Sequence, residues 1–149
     1  MPEQETLERA RKDKAEGKAP STQAGEFIRE EIHHIREGKH GARSTKQAIA
    51  IGLSKARRAG VKLPPPKKGK ASSETRRSAM RDYAKGRSTT KKQPSATRSR
   101  AVLNALKHEG HSAASHNALA RQARNSARHR TATQRSAAAK KAARTREKS

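Results

Sequence analysis

Large apolar residues are concentrated in two short segments, and the first of these predicts a helix. Ile28, Ile32 and Ile35 recur at spacings of four and three residues, so they share one face of an α-helix. Phe27 lies beside them, and Gly38 is suited to end the helix because glycine accepts the left-handed backbone found there. The segment therefore predicts an amphipathic helix with an isoleucine-rich face.

The second segment predicts another helix that begins at Ser44. Ser44 and Gln47 have the spacing of a capping box, in which each side chain accepts a hydrogen bond from a backbone amide at the helix start. Ile49, Leu53 and Ala56 then fall on one face. This apolar face is suited to pack against the first helix.

The two helices predict an αα-hairpin over residues 21–63, which Gly60 and the prolines at 64–66 bring to an end. Its predicted interface comprises Phe27, Ile28, Ile32, Ile35, Ile49, Leu53 and Ala56. A module of this size rarely has a sufficient core of its own. Pairing as a homodimer, or with a protein partner, would supply additional stability.

The rest of the chain has too few large apolar residues for a second core. Leu, Ile, Val and Phe together account for 14 of the 149 residues, while alanine alone accounts for 27. Such a composition with high charge is typical of disorder. We therefore predict a small all-α fold, an αα-hairpin followed by a largely disordered basic tail with transient or binding-induced helices.

The predicted organisation has four parts: a charged leader over residues 1–20, disordered or marginally helical; the hairpin over 21–63; a Pro/Lys/Gly linker over 64–72; and a basic low-complexity tail over 73–149. Three tail segments are expected to become helical on binding, at 73–85, 97–109 and 113–130. In the last of these, Arg121, Arg124 and Arg128 would line one side of the helix.

Charge is the strongest functional signal in the sequence. The 37 lysines and arginines outnumber the 13 acidic residues, for a net charge of +24, and residues 67–149 contribute +19 of it. Each cation that neutralises a phosphate releases counterions and adds affinity that does not depend on sequence. The predicted contacts are Lys55, Arg57, Arg58, Lys62, Lys67, Lys68, Lys70, Arg121, Arg124, Arg128, Arg130, Lys140, Lys141 and Arg144.

The predicted function is binding or compaction of nucleic acid without sequence specificity. Phe27 and Tyr83 are the only aromatic residues, so stacking on single strands is disfavoured and duplex DNA is favoured over RNA. One alternative is a protein-interaction module formed by the hairpin with the tail as a localisation signal, and another is an RNA- or ribosome-associated basic protein. Association with an anionic membrane surface is disfavoured because alanine is too small to anchor the tail.

Catalysis and metal binding are not expected from the sequence. Cysteine is absent, and no nucleophile, base and acid stand at an informative spacing. Glu30 and His33 have the E-x-x-H spacing of carboxylate-bridged metal sites, with His34, Glu37 and His40 nearby. Because such sites need ligands from several packed helices, we predict solvated histidines, no metal and no cofactor.

The expected location is the cytoplasm. The first residues are charged throughout and lack an apolar run of signal-peptide length, and no segment approaches the roughly 20 residues needed to span a bilayer. We therefore expect no membrane insertion.

A resemblance supports the hairpin. The segment from Lys46 to Gly60, which contains Q-A-I-A-I-x-L-S-x-A-R, resembles the signature of a short bacterial domain of unknown function, over about residues 26–64. The resemblance implies a small helical module, often attached to basic low-complexity segments, and no established activity. The resemblance to a bacterial domain also implies association with the nucleoid. The Ala/Lys/Arg-rich end of the chain, from Ser136, resembles the tails of linker histones and bacterial histone-like proteins in composition.

Overall fold

The computed structural model describes residues 1–90 and 92–148, and it confirms the all-α prediction. In chain order the helices are α1 (Gln4–Ala15), α2 (Pro20–Arg36), α3 (Thr45–Arg58), α4 (Ser73–Arg87), α5 (Ala96–Lys107), α6 (His116–Arg128) and α7 (Ala132–Glu147), with a 3₁₀ helix (Ser112–Ala114) before α6. Helices α2 and α3 pack together, α1 packs on α2, and α4 packs on α3.

The prediction that residues 73–149 form a largely disordered tail is wrong, because α4, α5, α6 and α7 occupy that region. Each of these helices begins with a side-chain cap that accepts a backbone N–H in the first turn, at Ser72, Ser95, Ser115 and Thr131. Alanine has the highest helix propensity, and a cap adds about 1 kcal/mol. A count of large apolar residues overlooks both contributions.

Each helix of the α2–α3 hairpin is terminated by a glycine that follows it. Gly38 and Gly60 have φ angles of 75° and 94°, which are strained for other residues, and the N–H of the following residue bonds back into the last helical turn. Helix α2 begins at Pro20 and extends the hairpin slightly beyond its predicted start. The segment assigned to a charged leader forms α1, whose Thr6 is fully buried.

Two apolar clusters form the core. The first contains Ile32, Ile35, Ala42, Ala48, Ala113 and Ala114, with Ile28 and Leu119 packed against it. The second contains Ala10, Ala24, Phe27, Ala56 and Val61, with Leu7, Leu53 and Leu63 packed against it. Ile49, predicted to lie in the hairpin interface, is half-buried and belongs to neither cluster. Helix α1 and the 3₁₀ helix thus cover the hairpin within one chain.

The segment before α6 is fixed to the loop between α2 and α3. Four hydrogen bonds join them, from Gly41 N–H to the Leu106 carbonyl (2.8 Å), Ala42 N–H to Gly110 (3.0 Å), Thr45 Oγ1 to Ala113 (2.6 Å) and Arg36 Nε to Ala114 (2.8 Å). A side chain at Gly41 would place its Cβ 2.0 Å from the Glu109 carbonyl oxygen. Close backbone contact, rather than large side chains, orders this region.

Helix α4 docks on α3 through one carboxylate and small residues. The buried Asp82 accepts hydrogen bonds from Ser54 Oγ and Arg58 Nε, both at 2.7 Å. One turn further along α4, a Cβ at Gly86 would lie 1.8 Å from the carbonyl oxygen of Arg57. The two backbones therefore touch where the helices cross.

Replacing Asp82 with alanine is expected to release α4 from α3. Hydrogen bonds that involve a charged group contribute about 2 kcal/mol, so amide hydrogen exchange in residues 73–87 should accelerate while α2 and the rest of α3 stay protected. Glu74→Gln, an exposed change in the same helix, is the control and should leave exchange unchanged. Equal protection in D82A and E74Q would contradict the docking role of Asp82.

Candidate functional site

Twelve of the fourteen cationic residues predicted to contact nucleic acid are exposed. They are Arg58, Lys62, Lys67, Lys68, Lys70, Arg121, Arg124, Arg128, Arg130, Lys140, Lys141 and Arg144. Lys55 is half-buried and Arg57 is buried. The structure therefore divides the predicted set into a large accessible group and a small group engaged inside the fold.

The end of α3 illustrates the engaged group. The Arg57 guanidinium donates to the carbonyls of Leu63 (3.2 Å) and Pro64 (3.4 Å), and thereby fixes the proline segment against the helix. Burial lowers the pKa of Arg57, against the opposing charge of Asp82. Arg58 is half-exposed while its Nε is bonded to the same carboxylate. Both arginines have structural partners.

Within the described residues, the cations of the second half of the chain lack carboxylate partners, although a few, such as Lys141, bond to neutral oxygens. In residues 1–90 and 92–148, no lysine or arginine from Lys62 onward forms an ion pair with a carboxylate. The ion pairs instead join residues between Glu3 and Lys55 to one another, apart from the pair of Arg58 with Asp82. Cations without a carboxylate partner therefore lie on the linker and on α4, α5, α6 and α7.

Helix α6 presents the most regular row of these cations. Arg121, Arg124 and Arg128 are all exposed, at positions that share one side of the helix. Arg121 also lines a cleft of about 320 Å³ between α6 and the start of α3. The other residues that line this cleft are Arg43, Ser44, Thr45, Lys46, Ala113, Ala118, Gln122 and Asn125. Three cations and a helix N-terminus thus converge on one concave surface.

A second feature is a buried charged network at the centre of α1, α2 and α3. Glu30 accepts hydrogen bonds from the Glu3 backbone N–H (3.0 Å) and from Lys55 Nζ (3.2 Å). Burial opposes ionisation of Glu30, but these donors and the Thr6 hydroxyl outweigh it, so the pKa of Glu30 lies below its usual range. Lys55 also contacts Glu31, and so bridges two buried carboxylates.

Glu31 lies at the meeting point of two histidines. His40 Nε2 is 3.3 Å from Glu31 Oε2, and His34 Nδ1 is 4.0 Å from Glu31 Oε1. The outer nitrogens of both rings are also bonded, His34 Nε2 to Glu3 Oε1 (2.8 Å) and His40 Nδ1 to the Gly41 carbonyl (3.0 Å). One ligand atom from each of Glu31, His34 and His40 lies within 4.8 Å of the others.

The E-x-x-H spacing noted in the sequence is that of the neighbouring pair, Glu30 and His33. His33 is exposed and pairs with Glu37 one turn along α2 (2.8 Å), whereas Glu31 and His34, which have the same E-x-x-H spacing, are directed inward. The missed signal is the position of Glu31, three residues after Ile28 and inside the apolar stripe of α2. A charge on the apolar face of a helix requires a buried partner.

Part of the chain matches a known protein family. Residues 13–68 match the model of a family described as a family of unknown function, DUF6496. The matched region spans the end of α1, all of α2 and α3, and the proline segment, and it confirms the predicted resemblance to a domain of unknown function. No curated protein and no solved structure matches the chain. Within the described residues, no helix is long and apolar enough to cross a membrane.

Proposed function

We propose that this chain binds duplex nucleic acid, DNA in preference to RNA, with little dependence on base sequence. The observation that carries the proposal is that, in residues 1–90 and 92–148, the cations from Lys62 onward lack carboxylate partners and, apart from the half-buried Arg76, are exposed. An unpaired cation is available to a phosphate, and its binding releases condensed counterions. A cation already held by a carboxylate gains less.

The row on α6 can contact several phosphates of a duplex. With a rise of about 1.5 Å per residue, Arg121 and Arg128 lie about 10 Å apart along the helix axis, which is about three base-pair steps measured along a duplex axis. The helix is already formed, so its arginines need no ordering of the backbone when they bind. The cleft beside it adds Arg43, Lys46 and the positive end of the α3 dipole.

The aromatic residues favour a duplex over a single strand. Phe27 is fully buried, and the Tyr83 ring is covered by the Arg87 guanidinium at 5.5 Å from its centroid. Phe27 is therefore unavailable to unpaired bases, and one face of Tyr83 is already occupied. The Ala/Lys/Arg composition of α7, similar to that of histone-like tails, supports the same non-specific role. A location at the bacterial nucleoid is part of the proposal. A role without catalysis is part of this proposal.

The test is fluorescence anisotropy of the full chain against a DNA duplex, an RNA duplex and a single strand across a range of salt concentrations. Changing Arg121, Arg124 and Arg128 together to glutamine removes three phosphate contacts. The slope of log affinity against log salt for duplex DNA should then decrease by about 2.7. Scrambling the duplex sequence should leave the affinity unchanged.

A matched control separates position from total charge. Arg11, Lys12 and Lys14 of α1 are also exposed. Their triple glutamine variant removes three positive charges, so it has the same net charge as the α6 variant. Its salt slope should stay near that of the unmodified chain. Equal losses in both variants would show that the α6 row is not the contact, and weak binding of the unmodified chain at low salt would overturn the proposal.

A further inference from the structure

We propose that Glu31, His34 and His40 form a binding site for a divalent transition metal ion of the zinc class. The three side chains come from α2 and from the loop that follows it, and all are largely or fully buried, with 1%, 12% and 9% of their side-chain surfaces exposed. Their ligand atoms already lie within 4.8 Å of one another. Small shifts would bring them to the roughly 2 Å distances of a coordinated zinc ion.

The hydrogen bonds of His40 determine which nitrogen is available. The Gly41 carbonyl can only accept, so His40 Nδ1 carries the proton in that bond. In the neutral ring, Nε2 is then a lone pair directed at Glu31 Oε2, 3.3 Å away. Two acceptors at that distance repel each other unless a proton or a metal ion lies between them. A metal ion satisfies both.

His34 has the same arrangement. Its Nε2 lies 2.8 Å from Glu3 Oε1, and donation to this carboxylate leaves Nδ1 on the side of Glu31. A histidine that donates its outer N–H to a carboxylate or a carbonyl is the usual supporting arrangement around a bound metal, because that bond fixes the ring and raises its basicity. Both histidines here have such an outer acceptor.

The net charge around Glu30 and Glu31 also favours a bound cation. Lys55 provides one positive charge between the buried carboxylates of Glu30 and Glu31, which leaves one negative charge in excess. Lys55 contacts Oε1 of Glu31, so Oε2 stays on the side of His40. Two imidazoles and one carboxylate are the ligand set of many zinc sites, whereas magnesium and calcium prefer oxygen ligands alone. The site therefore selects a borderline-soft ion.

The experiment is calorimetric titration of the full chain with ZnCl₂ and, separately, with MgCl₂, together with thermal unfolding in each salt. We expect one tight zinc site per chain, an increase in the unfolding temperature with zinc, and no response to magnesium. His40→Gln should lose the tight site and the increase in unfolding temperature. His33→Gln, which removes the exposed neighbouring histidine, should retain both.

Glu3→Gln keeps the test informative if H40Q does not fold. Glu3 is half-exposed and contacts the site only through His34, so the variant retains all three ligands. Loss of a supporting carboxylate typically weakens metal affinity about 10- to 100-fold, and we expect that range for zinc. The proposal is overturned if the unmodified chain shows no tight zinc site, or if H33Q loses as much affinity as E3Q.

Discussion

Replacing Lys55 with methionine is expected to destabilise the fold by about 3 kcal/mol. The change removes the ammonium that bridges Glu30 and Glu31 and leaves two buried carboxylates without their shared lysine. Breaking a buried ion pair from one side costs about 3–5 kcal/mol. We place the cost at the lower end because 24% of the Lys55 side chain is exposed to solvent.

The measurement is the free energy of unfolding in urea at neutral pH, with Lys46→Met as the control. Lys46 is an exposed lysine of the same helix and lines the cationic cleft. K46M should unfold like the unmodified chain and bind DNA more weakly, whereas K55M should lose stability. Equal stability of K55M and K46M would mean that the buried carboxylates do not depend on Lys55.

The different roles of Lys46 and Lys55 could not be predicted from the sequence. Lys46 and Lys55 are both lysines of α3, and the sequence offers no local difference between them. Their roles diverge because Lys55 faces α2, where Glu30 and Glu31 interrupt the apolar face, and Lys46 faces solvent. A partner 24 or 25 residues away cannot be assigned from spacing within one helix.

Helices α2 and α3 could largely be predicted from local sequence patterns. The stripe of Ile28, Ile32 and Ile35 predicts α2, and the Ser44 side chain accepts from the Gln47 backbone amide as the cap spacing indicates. The Gln47 side chain accepts from Arg43 N–H, one residue before the position expected in a capping box. Local signals thus located α2 and α3 to within a few residues.

The ordered structure of the second half of the chain could not be predicted from the same patterns, because it is not stabilised by large apolar residues. Helix α4 is held at Asp82 and Gly86, and the segment before α6 is held by backbone carbonyls and by Ala113 and Ala114. Alanine and glycine add little buried area each, but they let backbones approach closely. A composition with few large residues was therefore compatible with an ordered chain.

Close packing through small residues is tested most strongly by the same glycine-to-alanine substitution at two positions, Gly52 and Gly25. Gly52 lies in α3 where it crosses α2, and a Cβ there would be 2.7 Å from Ile28 Cα and 2.9 Å from Ile28 N. Favourable carbon contacts lie at about 3.5–4.0 Å, so α2 and α3 must separate to accept Gly52→Ala. Overpacking of this kind costs about 1–3 kcal/mol, and we expect the upper part of that range because the contact is with backbone.

Gly25→Ala provides the matched comparison, because Gly25 lies inside α2 and a Cβ there meets nothing within 4 Å. Alanine gains about 0.5–1 kcal/mol over glycine in a helix interior, so G25A should be more stable than the unmodified chain while G52A is less stable. Urea unfolding of the two variants should therefore give changes of opposite sign. Stabilisation by both would mean that α2 and α3 do not approach as closely as the structure indicates, and destabilisation by both would show that glycine at position 25 has a role beyond helix propensity.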